Sequence, residues 1–318
     1  MHELPKRYLW QGRIDSETDF DSFRFHQAVD CIEPDYDVNP HALAIVGFEC
    51  EEGVRRNEGR LGAKHAPDEI RKALASLPYH FEQDQQLGDT GNIVCEGAKL
   101  EQAQQELGNH IELLLRKSAS PIILGGGHET LYGHYLGMRQ FIGPDKTLGL
   151  INIDAHFDIR EADTPSSGTM FRQILENDVH AGYLVLGIQS FGNTKALFKQ
   201  ADKLGCQYIL AENLSTGPLT KTVIDDFCGR FDYVLLTLCT DSIAASAAPG
   251  VSAPAPFGLD PLLVRNLISY ITRKTNIRSF DISEVNPLLD ESGKTVKLAA
   301  YLVAEAMDGF TDKVMEKE

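Results

Sequence analysis

The sequence predicts an α/β protein in which a mostly parallel sheet is covered by helices on both faces. Short apolar runs alternate with stretches of helical character such as residues 99–117 and 261–273, the succession expected when parallel strands are joined by helical crossovers. The run at 233–238 is mostly apolar and β-rich, as befits a strand buried on both faces. Polar, metal-competent residues follow directly on several such runs, and open parallel sheets bind their ligands at the carboxyl ends of strands. With 318 residues and 42% apolar content the chain can bury one large core, and no linker, repeat or low-complexity tract divides it.

Taken in order, residues 121–124 form a short buried strand that runs into Gly125, Gly126, Gly127, His128 and Glu129. The glycines permit close backbone approach. Without a Gly-x-Gly-x-x-Gly spacing or a Gly-Lys-Ser/Thr ending the turn is a weak match to a nucleotide loop, and His128 reads better as a ligand. The next strand, Leu148–Ile153, leads into Asp154, Ala155, His156, Phe157 and Asp158. Residues two apart on a strand share a face with a repeat of roughly 7 Å. Asp154, His156 and Asp158 therefore converge on one crevice while Ala155 and Phe157 pack behind. Three such groups together carry a desolvation cost that a divalent cation offsets. The run at 233–238 continues into Cys239, Thr240, Asp241 and Ser242, with Cys239 and Asp241 on one face. Residues 247–256, AAPGVSAPAP, hold too much Pro and Gly for regular structure and read as an ordered loop beside the site. A last strand at 277–282 carries Asp281 and ends at Glu284, before Asn286 and Pro287.

GGGHE, DAHFD, the Cys-Thr-Asp segment with APGVSAP, and DISEVNP stand in an order and spacing that resembles the arginase/agmatinase ureohydrolase family. Residues 47–71, rich in glycine and arginine, fit the same pattern, so the resemblance covers most of the chain. It implies a single three-layer α/β/α domain over 40–318, a homo-oligomer and two Mn2+ ions per subunit. GVRRNEGR, SGTMFRQ and APGVSAP are most similar to the branch that hydrolyses N-formimidoyl-L-glutamate to L-glutamate and formamide, in histidine degradation, with a metal-bridging hydroxide. Carried over by motif, His128, Asp154 and Asp158 would hold one ion and Asp154, His156 and Asp241 the other. Asp158 would also orient the hydroxide, and Glu284 would hold the cationic amidinium. An oxygen-rich set with two imidazoles favours manganese.

The sequence departs from the family at two positions. Cys239 stands where most members have an aspartate bridging both metals; it is either a thiolate ligand that biases the site toward a softer ion or a small buried hydrophobe. Phe171 stands where arginases have a histidine that shuttles protons, and His134, six residues after His128, is the candidate substitute. Substrate choice is expected to rest on Arg160, Thr169 and Arg172, because a guanidinium fork pairs bidentately with a carboxylate and the expected substrate has two. Asn57 and Arg60 are expected at the rim. Residues 1–39 match no family motif and, with Tyr8, Trp10 and Phe20, read as an extension serving as a lid or subunit contact.

A net charge of −16 argues against nucleic acid and anionic membranes as partners, and leaves a small molecule with two carboxylates that local arginines must attract. Six scattered cysteines without a Cys-x-x-Cys pair indicate neither a zinc ribbon nor a disulfide framework, and free thiols suit a reducing cytoplasm. No apolar run approaches the roughly 18–20 residues that cross a bilayer, and the polar N-terminus lacks a signal-peptide core. Two alternatives stand beside this expectation. Hydrolysis of arginine, agmatine or guanidinobutyrate is opposed by Arg160 and Arg172, which repel a cation. A non-catalytic relative with a decayed site is opposed by the retention of five of the six expected ligands.

Overall fold

A computed structural model describes residues 1–32 and 38–315. Strands β1 (His2–Glu3), β2 (Val29–Cys31), β3 (Leu43–Glu49), β4 (Leu87–Val94), β5 (Ser120–Leu124), β6 (Leu148–Ile153), β7 (Ala181–Ile188), β8 (Gln207–Leu210), β9 (Tyr233–Cys239) and β10 (Ile277–Ser283) form one sheet. Their spatial order is β1-β4-β3-β5-β10-β9-β6-β7-β8, with β2 also paired to β4. β1 runs antiparallel to β4, and the other pairings are parallel.

Alternate residues along each strand feed opposite faces, as a period of two requires. Ile45, Ile122, Ile151, Leu184 and Leu236 belong to one core, whereas Val46, Ile123, Leu150, Val185 and Leu235 belong to the other. The first core is closed by the helices Ala66–Ala75, Pro261–Thr272 and Lys294–Met315, the second by Leu100–Arg116 and Thr130–Ile142. The helix Leu100–Arg116 shows why: Ala103, Leu107, Ile111 and Leu114 recur at helical spacing and are buried, while Glu101, Gln105 and Asn109 face outward. This is the expected three-layer arrangement. No helix among the described residues is long and apolar enough to cross a membrane.

The N-terminal segment does not behave as a separate extension. Leu9, Trp10, Phe25 and Val29 lie in the first core, and β1 and β2 both join the sheet at β4. Burying these apolar side chains, each worth about 1.5–3 kcal/mol, holds residues 1–32 as part of the domain. Residues 33–37 of the expected extension lie outside the described residues.

Register sets the site. Ile282 pairs with Leu124, Ser283 with Cys239, and Ile153 with Leu238, so β5, β10, β9 and β6 end level with one another. The four segments that follow them rise side by side from one edge of the sheet.

Candidate metal centre

The glycine turn after β5 is clamped from both sides. Gly125 donates to Ile282 O at 2.8 Å and Gly127 to Cys50 O at 3.0 Å. A Cβ on Gly126 would stand 1.9 Å from the Cys50 carbonyl oxygen, so only glycine fits there. The turn delivers His128, whose N–H donates to Glu284 Oε1 at 3.0 Å. Glu284 and Asp158 both hold left-handed backbone, with φ of 67° and 50°. For non-glycine residues that conformation is uncommon, and it concentrates where side-chain placement outweighs strain.

His128 Nδ1 faces Asp158 Oδ2 at 2.8 Å and Asp154 Oδ2 at 3.2 Å. His156 Nδ1 lies 3.4 Å from Asp241 Oδ2 and 3.6 Å from Asp154 Oδ1. The Cys239 thiol donates to Asp241 Oδ1 at 2.9 Å. Two groups of potential ligands result, His128 with Asp154 and Cys239, and Asp154 with His156 and Asp241, the atoms of each lying within 4.8 Å of one another. Asp154 belongs to both. These groups open into a crevice of about 100 Å³ shared by Asp158, Glu284, Asn57 and Arg160. A larger groove of about 830 Å³, between Pro78 and Tyr301, holds no such cluster, so chemistry rather than volume identifies the site.

Electrostatics give the same answer. Burial and the neighbouring Asp154 charge push Asp158 up, and burial with Asp241 and Glu129 pushes Glu284 up to about 8. Against burial, Asp154 and Asp158 hold His128 well above its ordinary value, and Asp241 and Asp154 raise His156 to about 12. Against burial too, the two imidazoles hold Asp154 low. Burial and the surrounding carboxylates keep Cys239 a thiol. A Glu284 carboxyl held up to about 8 among crowded carboxylates, beside imidazoles kept cationic, belongs to a set that divalent cations would relieve. The oxygen and imidazole donors suit manganese, and the thiol is the one soft member.

A family model described as the arginase family matches residues 41–309. The chain belongs to the arginase family. Among its relatives, the formimidoylglutamases of Geobacillus sp. (strain WCH70) and Lysinibacillus sphaericus (strain C3-41) are 52% and 51% identical to it; the first alignment covers 98% of this chain and 97% of the relative, the second 98% of each. The crystal structure of formimidoylglutamase from Bacillus subtilis superposes with a TM-score of 0.82 at 24% identity, over 93% of this chain and 94% of that one. A Trypanosoma cruzi formiminoglutamase crystallised with manganese gives 0.77 at 25% identity, over 85% of this chain and 94% of that one.

The arginase-family expectations hold unevenly around the crevice. The structure brings together His128, Asp154, His156, Asp158, Cys239, Asp241 and Glu284, and it sets Arg160 beside them with Nη1 donating to Asn57 Oδ1 at 3.2 Å. Arg60 holds the backbone carbonyls of Ser252 and Val251, which ties down the 247–256 loop. Two of the residues expected to bind substrate stand beside the crevice and not in it. Thr169 is buried, with its hydroxyl engaged by Ser166 N–H and Gln173, and Arg172 is paired with Glu161 at 3.1 Å and Glu176 at 2.8 Å. Neither lines the crevice, but both line an adjoining pocket of about 350 Å³ that Arg160 also borders. The lid expectation for the N-terminus is corrected on the same ground, since no described residue of 1–32 lines the crevice.

His134 is corrected too. It is wholly buried with Nδ1 against Asp281 at 2.7 Å and Nε2 on Ser279, so neither nitrogen can meet a leaving group. Phe171 packs its face on Tyr183, ring centroids 3.9 Å apart, and meets the His128 ring at 69°. It shapes the wall behind a ligand and moves no proton.

Sequence reasoning missed the supports. Thr237 Oγ1 sits 3.1 Å from His128 Nε2 and donates to Asp281 Oδ1 at 2.7 Å. Asn152 donates to Asp154 Oδ2 and to the Tyr183 hydroxyl, each at 3.0 Å. Their signal was present: each is the polar residue two before a ligand inside an otherwise apolar strand, hence on the ligand's face.

Proposed function

We propose that this chain hydrolyses N-formimidoyl-L-glutamate to L-glutamate and formamide, with two manganese ions held by His128, Asp154, Asp158 and Cys239 on one side and Asp154, His156 and Asp241 on the other. The observation that carries this reading is one buried carboxylate, Asp154, shared by two ligand groups in a crevice whose mouth bears Arg160. When bound, the ions supply Lewis acidity that brings a water molecule's pKa near 7.

The chain's own groups do the rest. An amidinium is cationic and the product glutamate is anionic, and the crevice is polarised to match. Glu284, with one oxygen fixed by His128 N–H, offers the other to the amidinium and aligns its carbon for attack; such placement contributes about 2.7–4 kcal/mol. Arg160, steadied by Asn57, pairs with a substrate carboxylate and keeps guanidinium substrates out. Asp158, raised by burial and by Asp154, accepts the proton of the attacking water and returns it to the departing amine nitrogen. That transfer leaves formamide and free glutamate without a separate histidine acid. The same reading extends to one catalytic domain in which residues 1–32 pack with 40–318, a homo-oligomer, and a cytoplasm that keeps the thiols reduced.

The test is turnover by metal-depleted protein reconstituted with manganese, offered N-formimidoyl-L-glutamate, arginine and agmatine in parallel, beside a Cys239→Asp variant. Formamide and glutamate from the first substrate alone are expected. Urea from arginine or agmatine overturns the substrate assignment, and activity confined to Cys239→Asp overturns catalysis by the native site.

A further inference from the structure

Cys50 and Cys95 are free cysteines that immediately follow β3 and β4. Those strands are in register up to Glu49 and Val94, and Cys95 N–H continues the ladder to Glu49 O at 3.1 Å. Neighbouring strands lie about 4.8 Å apart, inside the roughly 4.4–6.8 Å Cα spacing that a disulfide spans. Continuing the register of Glu49 and Val94 by one residue sets Cys50 opposite Cys95.

The pair is asymmetric. Cys50 is 1% exposed, whereas Cys95 is half-buried. The two thiols act on each other: Cys50 is raised by its neighbour and by burial, and Cys95 is drawn below the ordinary thiol range by Cys50. An accessible, lowered thiol against a buried partner is the arrangement of an attacking and a resolving cysteine. Cys31 supplies the contrast: it is equally half-buried, but burial and Asp89 push its thiol up.

Neither sulfur lines the crevice, yet the pair lies directly beneath it. The Cys50 carbonyl receives Gly127 N–H at 3.0 Å, one residue before His128. Gly53, three residues after Cys50, donates to Glu129 Oε1 at 2.9 Å. A crosslink at Cys50 therefore reaches the ligand turn through its backbone.

We propose that Cys95 and Cys50 form a peroxide-reactive dithiol that closes reversibly to a disulfide. A hydroperoxide gives its terminal oxygen to the Cys95 sulfur. The O–O bond breaks, an S–O bond forms, the alcohol or water leaves, and Cys95 becomes a sulfenic acid. The Cys50 sulfur then attacks Cys95, an S–S bond forms, and the hydroxyl leaves as water with the Cys50 proton. Two electrons pass from the thiol pair to the peroxide, and a dithiol reductant returns them.

The experiment treats the full chain with hydrogen peroxide at near-stoichiometric dose and maps its peptides by mass spectrometry, before and after dithiothreitol. A Cys50–Cys95 crosslinked peptide that the reductant removes is expected. Cys50→Ser should stop at a dimedone-reactive sulfenic acid on Cys95, and iodoacetamide should alkylate Cys95 at least ~10-fold faster than Cys31 in the untreated protein. Peroxide that oxidises other cysteines and leaves Cys95 reduced, or equal alkylation of Cys95 and Cys31, overturns the proposal. None of these readouts uses turnover, so they stand apart from the amidine reading.

Discussion

Two clusters of buried charge lie in this sheet, and they are built on opposite rules. Against β4, Arg71 of the helix Ala66–Ala75 is 1% exposed and spends its guanidinium on Asp89 at 2.8 and 2.9 Å, Asn92 at 2.7 Å and Gly91 O at 2.9 Å. Trp10 closes Asp89 from the other side at 2.8 Å, and Lys6 answers Glu49 and Asp68 at 3.2 and 3.0 Å. Each carboxylate meets a cation, Asn92 donates to Glu49 and Asp68 as well, and the donors are engaged. The crevice instead packs Asp154, Asp158, Asp241 and Glu284 against two imidazoles and a thiol, and the raised Asp158, Glu284 and His156 record the mismatch. A closed cluster holds a fold, whereas an open one of like charges waits for a cation and a substrate.

The contrast breaks most sharply at Asp154, the carboxylate common to both ligand groups. Asp154→Asn should cut kcat/KM by at least ~10³-fold, since metal assistance is worth several kcal/mol, and isothermal titration should show manganese uptake reduced to one weak event or none. Its melting temperature without metal should fall far less than that of Arg71→Ala. Truncating Arg71 leaves Asp89 buried and unpaired, at a cost of about 3–5 kcal/mol in urea unfolding, while turnover per folded molecule stays near wild type. Loss of activity in correctly folded Arg71→Ala would mean that the two clusters are coupled.

Glu284 tests the same difference through pH. Its folded-state value of about 8 lies above the ordinary carboxyl value of 4.5, so the folded chain binds the extra proton. The associated stability is present in full below 4.5 and is lost as pH rises through 8. Metal-free wild type should therefore weaken between pH 5 and 8 by a few kcal/mol, about 1.4 kcal/mol per pH unit at most, and Glu284→Gln should flatten that slope. The same variant should lose roughly 10²–10³-fold in kcat. An unchanged slope would show that the carboxyl is not held protonated.

How much of this was legible follows from what a sequence can encode locally. Asp154, His156, Asp158 and Cys239 could be placed because a strand's period of two fixes which residues share a face, and their neighbours on the sheet end level with them. The pairing of Arg172 could not, because on the helix Met170–Asn177 it meets Glu176 one turn away, and nothing in sequence says which side that turn presents. His134 was misread for the same reason: on the helix Thr130–Ile142 it points into the sheet at β10, toward Asp281. Tyr8, Trp10 and Phe20 suggested a lid only because the pairing of β1 and β2 with β4 spans more than fifty residues of chain, a contact that no local pattern announces.

The smallest expected effect lies where the two rules meet. Behind His128 runs a satisfied chain: Nε2 to Thr237, Thr237 to Asp281 at 2.7 Å, Asp281 to His134 at 2.7 Å, and His134 to Ser279. It resembles the closed cluster in its pairing, yet it ends on a ligand. If Thr237 gives its proton to Asp281, its oxygen must accept from His128 Nε2–H, so the proton a metal ion would displace is the one on Nδ1, facing Asp154 and Asp158. The fold therefore selects the tautomer that can ligate. Asp281→Asn can present its amide rather than an oxygen to Thr237, which would reverse that preference; groups in this position commonly contribute 10–100-fold to metal affinity. A fall of that size in manganese affinity, with kcat at saturating manganese changed much less, would show that the chain acts through His128. A lower melting temperature with unaltered manganese affinity would place Asp281 and His134 with Arg71, among the charges that only hold the fold.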